Sequence, residues 1–239
     1  MKILKVPAAA VLLSGALLIS NSLFAQQVNK TVPVNNFSEI TVSSGIDLYL
    51  TQAGAESAKI VGDKELADKV LIEKDGTSLR IKFKESTNWS GFFRKQGQVK
   101  VYVNVKRLNA LHASGGSDVY GQNAIKTDKI DLHTSGGSDV KVNLICKDIT
   151  IESSGGSDLY LSGSAENMDL RSSGGSDVHA EKFSVNYAKV NSSGGSDANI
   201  HVNKGLEANA SGGSDIRFSG SAAYKKTSDS KSGSVRRID

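Results

Sequence analysis

The sequence predicts an all-β fold: a right-handed parallel β-helix, or solenoid, with rungs of about 20 residues and an irregular β-rich portion ahead of them. Three observations carry this. The pentapeptide Ser-Gly-Gly-Ser-Asp occurs six times. Around the copies, apolar and polar residues alternate with a period of two, the pattern of strands with one buried face. Degenerate copies flank the array, as a stack whose end rungs have only one neighbour requires.

The first segment is predicted to lie outside the fold. Lys2 and Lys5 precede the apolar run Val6 to Phe24, which ends in Leu23-Phe24-Ala25 before Gln26-Gln27. This is the order of a secretory signal peptide, residues 1–25, with cleavage after Ala25. The alternative is an uncleaved anchor, which the short run with Ser14, Gly15 and Ser20 suits less well. No cysteine lies near the site, which excludes a lipid-modified N-terminus. Cleavage removes two lysines, leaving 27 basic and 25 acidic side chains. That near-balance, together with export, argues against a nucleic-acid partner. The lone cysteine, Cys146, cannot form an internal disulfide.

Residues 26–110 read as irregular β-rungs that cap the stack. Strands are expected over Ile40–Leu50, Ala58–Val61, Val70–Glu73, Ser78–Lys84 and Gln98–Val105, with one helical turn at Lys64–Lys69. Asp75-Gly76 is a hairpin signal between two of them. A degenerate motif, Ser43-Ser44-Gly45-Ile46-Asp47, keeps the aspartate.

Residues 111–239 carry the array, continuous with the preceding part as one domain. The motif aspartates are Asp118, Asp139, Asp158, Asp177, Asp197 and Asp215, separated by 21, 19, 19, 20 and 18 residues. The pentapeptide is constant while the connections absorb insertions. Before the motif, Ile149, Ile151 and Ser153 share one parity; after it, Leu159 and Leu161 share it too. If the parity runs through the motif, Gly155 and Ser157 point inward, and Ser154, Gly156 and Asp158 point outward. A bulge within the motif would flip this phase. Such short repeats bury their apolar faces only by stacking. Helical repeats are excluded by the period; a propeller with two repeats to a blade is the other architecture the spacing allows. At the far end, Lys231-Ser232-Gly233-Ser234-Val235 lacks the aspartate, and the polar stretch 225–239 reads as a solvated last rung.

The candidate chemistry sits in two places. Stacked aspartates about 5 Å apart repel by roughly 1 kcal/mol in water, so something offsets them. One reading is structural: each aspartate accepts a hydrogen bond from nearby backbone in an Asx-type turn. Another is a calcium ion held between rungs by Asp118, Asp139, Asp158, Asp177, Asp197 and Asp215, since calcium takes carboxylate oxygens, and a third is an acidic stripe that faces a ligand. The second place is Asn88-Trp89-Ser90-Gly91-Phe92-Phe93-Arg94-Lys95, which interrupts two strands with the chain's only tryptophan. Trp89, Phe92 and Phe93 would either grip a glycan or protein partner, or fold back over the open end of the stack. No cofactor is implied. His112 and His133 share an outward position two residues before the motif, which reads as a surface row; no catalytic triad or metal-ligand spacing is present. Six near-identical aspartates supply equal environments, whereas acid–base catalysis needs unequal ones.

The opening Phe37-x-x-Ile40-x-Val42, the strand Gly45-Ile46-Asp47-Leu48-Tyr49-Leu50, the strand Leu79-x-Ile81 and the Ser-Gly-Gly-Ser-Asp array together resemble a known family, the auto-transporter adhesin head or GIN domain, a domain of unknown function. The resemblance covers nearly all of the chain beyond the signal peptide. It implies a secreted or envelope β-helical domain and brings no catalytic residues. The expected function is a non-enzymatic, exported, adhesion-type structural or binding domain in the periplasm, on the outer-membrane surface or outside the cell. The alternative is a carbohydrate-active β-helix that binds or cleaves polysaccharide. The residues leave the ligand and the oligomeric state open.

Overall fold

A strand with one apolar face is stable only where that face meets another, and here two stacks of parallel strands meet face to face. The computed structural model describes residues 27–84, 99–226 and 232–238. The chain begins with β1 (Gln27–Val32), β2 (Glu39–Val42), β3 (Asp47–Gln52), β4 (Ser57–Asp63), the single helical turn α1 (Lys64–Ala67), β5 (Val70–Asp75), β6 (Ser78–Phe83) and β7 (Val99–Val105). It continues with β8 (Ala110–Ala113), β9 (Val119–Lys126), β10 (Lys129–Thr134), β11 (Val140–Ile145) and β12 (Asp148–Ser153). Three long strands follow, β13 (Asp158–Ser172), β14 (Asp177–Ser192) and β15 (Asp197–Ala210), and then β16 (Asp215–Ser219), β17 (Ala223–Lys226) and β18 (Ser234–Arg237).

Segments that precede a motif form one face and segments that follow it form the other. The first face runs β6, β2, β8, β10, β12, the later halves of β13, β14 and β15, and β17. The second runs β7, β3, β9, β11, the earlier halves of β13, β14 and β15, then β16 and β18. Each long strand therefore closes one rung and opens the next. Parallel pairing in register puts like residues in columns: Leu132, Ile151, Leu170, Val190 and Ala208 stack on one face, all at most 1% exposed. Val140, Leu159, Val178, Ala198 and Ile216 stack opposite them, equally buried. Each fully buried Leu, Ile or Val contributes about 1.5–3 kcal/mol, and no rung supplies enough of them alone.

The motif is where the chain turns from one face to the other. Ser157 is buried and Asp158 faces out, as the alternation predicts. Gly155 departs from the prediction: it is exposed, because the motif leaves the strand conformation. Gly155 (φ 68°) and Gly156 (φ 74°) are both left-handed, a conformation that side chains resist. The two glycines are not equivalent. A Cβ on Gly174 would lie 3.0 Å from the Gly155 nitrogen, and one on Gly194 only 2.9 Å from the Gly174 nitrogen. At the second position, Gly175 and Gly195 face open space and need no left-handed backbone. The first glycine of each copy thus lets successive turns stack backbone on backbone.

The region predicted to be irregular caps one end, by a path the sequence does not reveal. The chain lays down β2 and β3 as a rung, with its turn made by Ser44 (φ 74°) and Gly45 (φ 72°), so the expected strand Ile40–Leu50 is split in two. It then doubles back. β6 and β7 pair on the outer side of that rung, and β8 and β9 on its inner side. Beyond them the sheet turns antiparallel: β5 pairs with β6 through the predicted Asp75-Gly76 hairpin, β4 with β7, and β1 with β4. The turn α1 joins β4 to β5 across this end. Asp63 accepts a hydrogen bond from the Glu65 backbone at its start, and Leu66 and Ala67 join the core. At the other end, the Arg237 guanidinium lies over the Phe218 ring, 5.1 Å from its centre, and donates to the Gly220 and Ala222 carbonyls, each at 2.7 Å.

Candidate functional site

The motif's second serine closes its turn. Ser157 Oγ donates to Ser154 O at 2.9 Å, Ser176 to Ser173 O at 3.0 Å, Ser196 to Ser193 O at 2.9 Å and Ser214 to Ser211 O at 2.8 Å. These serines, and Ser117 and Ser138 at the same position, are fully buried. Before the four middle motifs the preceding residue, Thr134, Ser153, Ser172 or Ser192, adds a second buried hydroxyl, so the corner there is lined by a ladder: Thr134 donates to Ser153 at 2.9 Å, and Ser172 and Ser192 lie 2.7 Å apart. A polar group buried without a partner costs about 1–3 kcal/mol, so the ladder is stable because its hydroxyls satisfy one another.

With the turn held, the next residue is thrown outward on every rung. Register places Lys100, Asp47, Asp118, Asp139, Asp158, Asp177, Asp197, Asp215 and Ser234 in one file. All six predicted aspartates come together, with Asp47 of the degenerate motif as a seventh. Their repulsion is relieved by a device other than the expected Asx turn, because the bonds run between rungs. Asp118 Oδ1 accepts from the Asp139 backbone N–H at 3.2 Å, Asp177 from Asp197 at 3.3 Å, and Asp197 from Asp215 at 3.1 Å. The far end of the file is neutralised further. Arg217 bridges Asp197 (3.0 Å) and Asp215 (2.8 Å), and Ser234 donates to Asp215 at 2.6 Å. Ser234, together with Arg217 and Arg236, holds the Asp215 carboxyl below the usual carboxylate range. Asp139, with acidic neighbours on both sides, is pushed up by burial and then by Asp118 and Asp158. Asp47 is raised by burial and by Asp118, against a downward pull from Lys100. Among the described residues, no three His, Cys, Asp or Glu side chains converge on a point where a metal ion could sit.

A second outward file runs beside the acids, two residues further along each strand: Tyr102, Tyr49, Tyr120, Lys141, Tyr160, His179, Asn199, Arg217 and Arg236. Tyr49 stacks on Tyr102 at 4.9 Å and on Tyr120 at 5.2 Å, and Tyr160 on His179 at 4.6 Å. Tyr120 donates to Asp118 at 3.3 Å, and burial beside these carboxylates raises its hydroxyl to about 12. The sequence expectations do not include this file, although the second residue after each motif aspartate carries its signal. On the opposite face the predicted histidine row forms: His112 and His133 stack at 4.5 Å, and His133 Nδ1 lies 3.1 Å from Glu152. Burial, then His133, lowers the His112 pKa. Trp89, Phe92 and Phe93 lie in 85–98, outside the described residues; that segment links β6 to β7, where other rungs carry the motif.

The same architecture occurs in solved structures. A protein of Bacteroides fragilis described as a putative adhesin superposes with a TM-score of 0.79 at 22% identity, over 89% of this chain and 97% of that one. A putative adhesin of Parabacteroides merdae gives 0.70 at 21% identity, over 90% and 98%. A putative lipid binding protein of Parabacteroides distasonis gives 0.69 at 19%, over 90% and 98%. At these identities the likeness establishes the fold. No curated protein matches the chain significantly. A family model matches residues 36–222, which takes in the degenerate first motif and all six full copies. The chain therefore belongs to the family described as "putative auto-transporter adhesin, head GIN domain".

Proposed function

We propose that this protein is an exported, non-enzymatic β-solenoid of the cell envelope that acts as an adhesion-type binding scaffold. One observation carries the reading: its outward chemistry is arrayed in files of like groups rather than gathered at a point. Acid–base catalysis needs titratable groups held in unequal environments within reach of one substrate atom. The aspartate file instead repeats one group at the strand spacing of about 4.8 Å, and the file beside it stacks Tyr102, Tyr49 and Tyr120 in the same way. That arrangement suits a partner that is itself extended or repetitive, such as an envelope glycan or a protein surface. The family description supports an adhesive role. Export rests on the signal-peptide pattern of residues 1–25, with release after Ala25. Among the described residues no helix is long and apolar enough to cross a membrane.

Expression of the full chain in a Gram-negative host, followed by fractionation, N-terminal sequencing and proteolysis of intact cells, tests the compartment. A chain starting at Gln26 in the envelope or medium supports the reading, and an uncleaved cytoplasmic chain defeats it. A glycan array together with a reducing-sugar assay on the mature chain tests the activity. Binding without sugar release is the expected result; release would favour the carbohydrate-cleaving alternative.

A further inference from the structure

An open groove of about 460 Å³ lies on the outer side of the first face towards its far end, built from β13, β14, β15 and β17. Small-ligand sites commonly fall between roughly 300 and 1,000 Å³. One outward file here reads Asn167, Tyr187, Gly205, Ala223. Unlike the rings of the tyrosine file, Tyr187 has no stacking partner among the described residues and is 48% exposed. Gly205 makes room for it: a Cβ there would meet the ring at 3.1 Å. The Lys204 ammonium approaches the ring to 5.5 Å from its centre and is paired with Glu166 at 3.7 Å. Ala223 and Lys225 complete the groove beyond Gly205.

The parallel file along the groove reads Asp169, Lys189, Glu207, Lys225. Asp169 is paired with Arg171 at 3.3 Å and Glu207 with Lys225 at 3.7 Å. Lys189 lines the groove and has no ion-pair partner among the described residues. The floor is closed, since Met168, Ala188 and Leu206 are only 3%, 6% and 2% exposed. An acyl chain would find no interior to enter. A saturated ring with one apolar C–H face that carries an anionic substituent would meet both the tyrosine and the unpaired cation.

We infer that this groove binds a hexuronic acid residue of an acidic polysaccharide, with the pyranose ring packed on Tyr187 and the carboxylate paired with Lys189. The inference rests on the binding-scaffold reading and gives it a ligand class and a place. The pairing is a charge-assisted contact at the surface, while the ring contact gives it orientation.

The test is calorimetric titration of the mature chain with an oligogalacturonate and with a neutral hexose oligomer of equal length, for wild type, Tyr187→Ala, Tyr187→Phe and Lys189→Ala. Both side chains lie on the surface, and thermal melting checks that each variant folds. The expected result is binding of the acidic oligomer, weakened about tenfold by Tyr187→Ala and by Lys189→Ala and retained by Tyr187→Phe. Equal binding of the neutral oligomer would overturn the inference, as would binding to phosphatidylglycerol vesicles in place of the oligouronate, or no binding of either oligomer. Undiminished oligouronate binding by both alanine variants would also overturn it, yet would leave the scaffold reading standing with its site elsewhere. Loss of all glycan binding on the array, by contrast, counts against the scaffold reading itself.

Discussion

The two glycines of one motif should respond oppositely to the same substitution. Alanine at Gly174 meets two penalties. Its φ of 78° lies in the left-handed region, which costs about 1–2 kcal/mol for a residue with a Cβ. The new Cβ would also sit 3.0 Å from the Gly155 nitrogen and 3.6 Å from its Cα, with backbone rather than a yielding side chain in the way. Overpacking of that kind costs typically about 1–3 kcal/mol. Together the two penalties come to about 2–5 kcal/mol. Alanine at Gly175 meets neither, because its position is open and its backbone is not left-handed. Removing a glycine from a compatible position stabilises by about 0.4–1 kcal/mol through the unfolded chain. Urea unfolding of Gly174→Ala and Gly175→Ala, followed by far-ultraviolet circular dichroism, should separate their stabilities by about 2–6 kcal/mol, with the second at or above wild type. Equal destabilisation would falsify the account of this copy as a backbone-stacking turn in which only the first glycine is required.

Three further outcomes follow from the site. Ser176→Ala removes the hydroxyl that lies 3.0 Å from Ser173 O and 3.1 Å from Ser153 O in a buried corner, and should cost about 1–3 kcal/mol in the same unfolding assay; a neutral effect would mean the hydroxyl ladder is incidental. Asp139→Asn tests the acid file through pH. The raised folded pKa of Asp139 means that the native state binds its proton more tightly, so wild type loses stability as pH rises from the ordinary carboxylate value through the raised one. The variant should match wild type near about pH 3 and exceed it by about 0.5 kcal/mol at neutral pH, a small gain because solvent still reaches and screens the group; a variant less stable at neutral pH would refute the raised carboxyl and with it the combined effect of burial and the neighbouring acids. Asp215 has the opposite sign, its contribution being lost as pH falls through its depressed value. Melting in calcium and in chelator should give one midpoint, because the carboxylates stand in file with backbone N–H partners; a clear rise with calcium would place a cation between rungs.

Much of the rung is legible in the residues alone, and the reason is local. Period-two alternation around each motif places Ile149, Ile151, Leu159 and Leu161 in the core, because successive side chains on a strand point to opposite sides. The same alternation puts Ser157 inward and Asp158 outward, since a four-residue turn preserves parity even though its glycines leave the strand. Recurrence of the pentapeptide then implies stacking, because no single rung can bury its own face. By itself, therefore, the sequence determined the repeat, the inward and outward sides, and the file of aspartates.

Only the tertiary structure decided who stands next to whom. The first glycine is required because another turn lies beneath it, and the identity of the rung below is absent from the pentapeptide. Lys100 ends the acid file, and Tyr102 stacks on Tyr49, because the chain doubles back after β3 and sets β7 against it. The half-exposed ring of Tyr187 depends in the same way on Gly205 and Ala223 occupying the next two rungs. Alternation is set by the geometry of one strand. Register between distant segments is set by which apolar columns close best, and that is a property of the assembled stack.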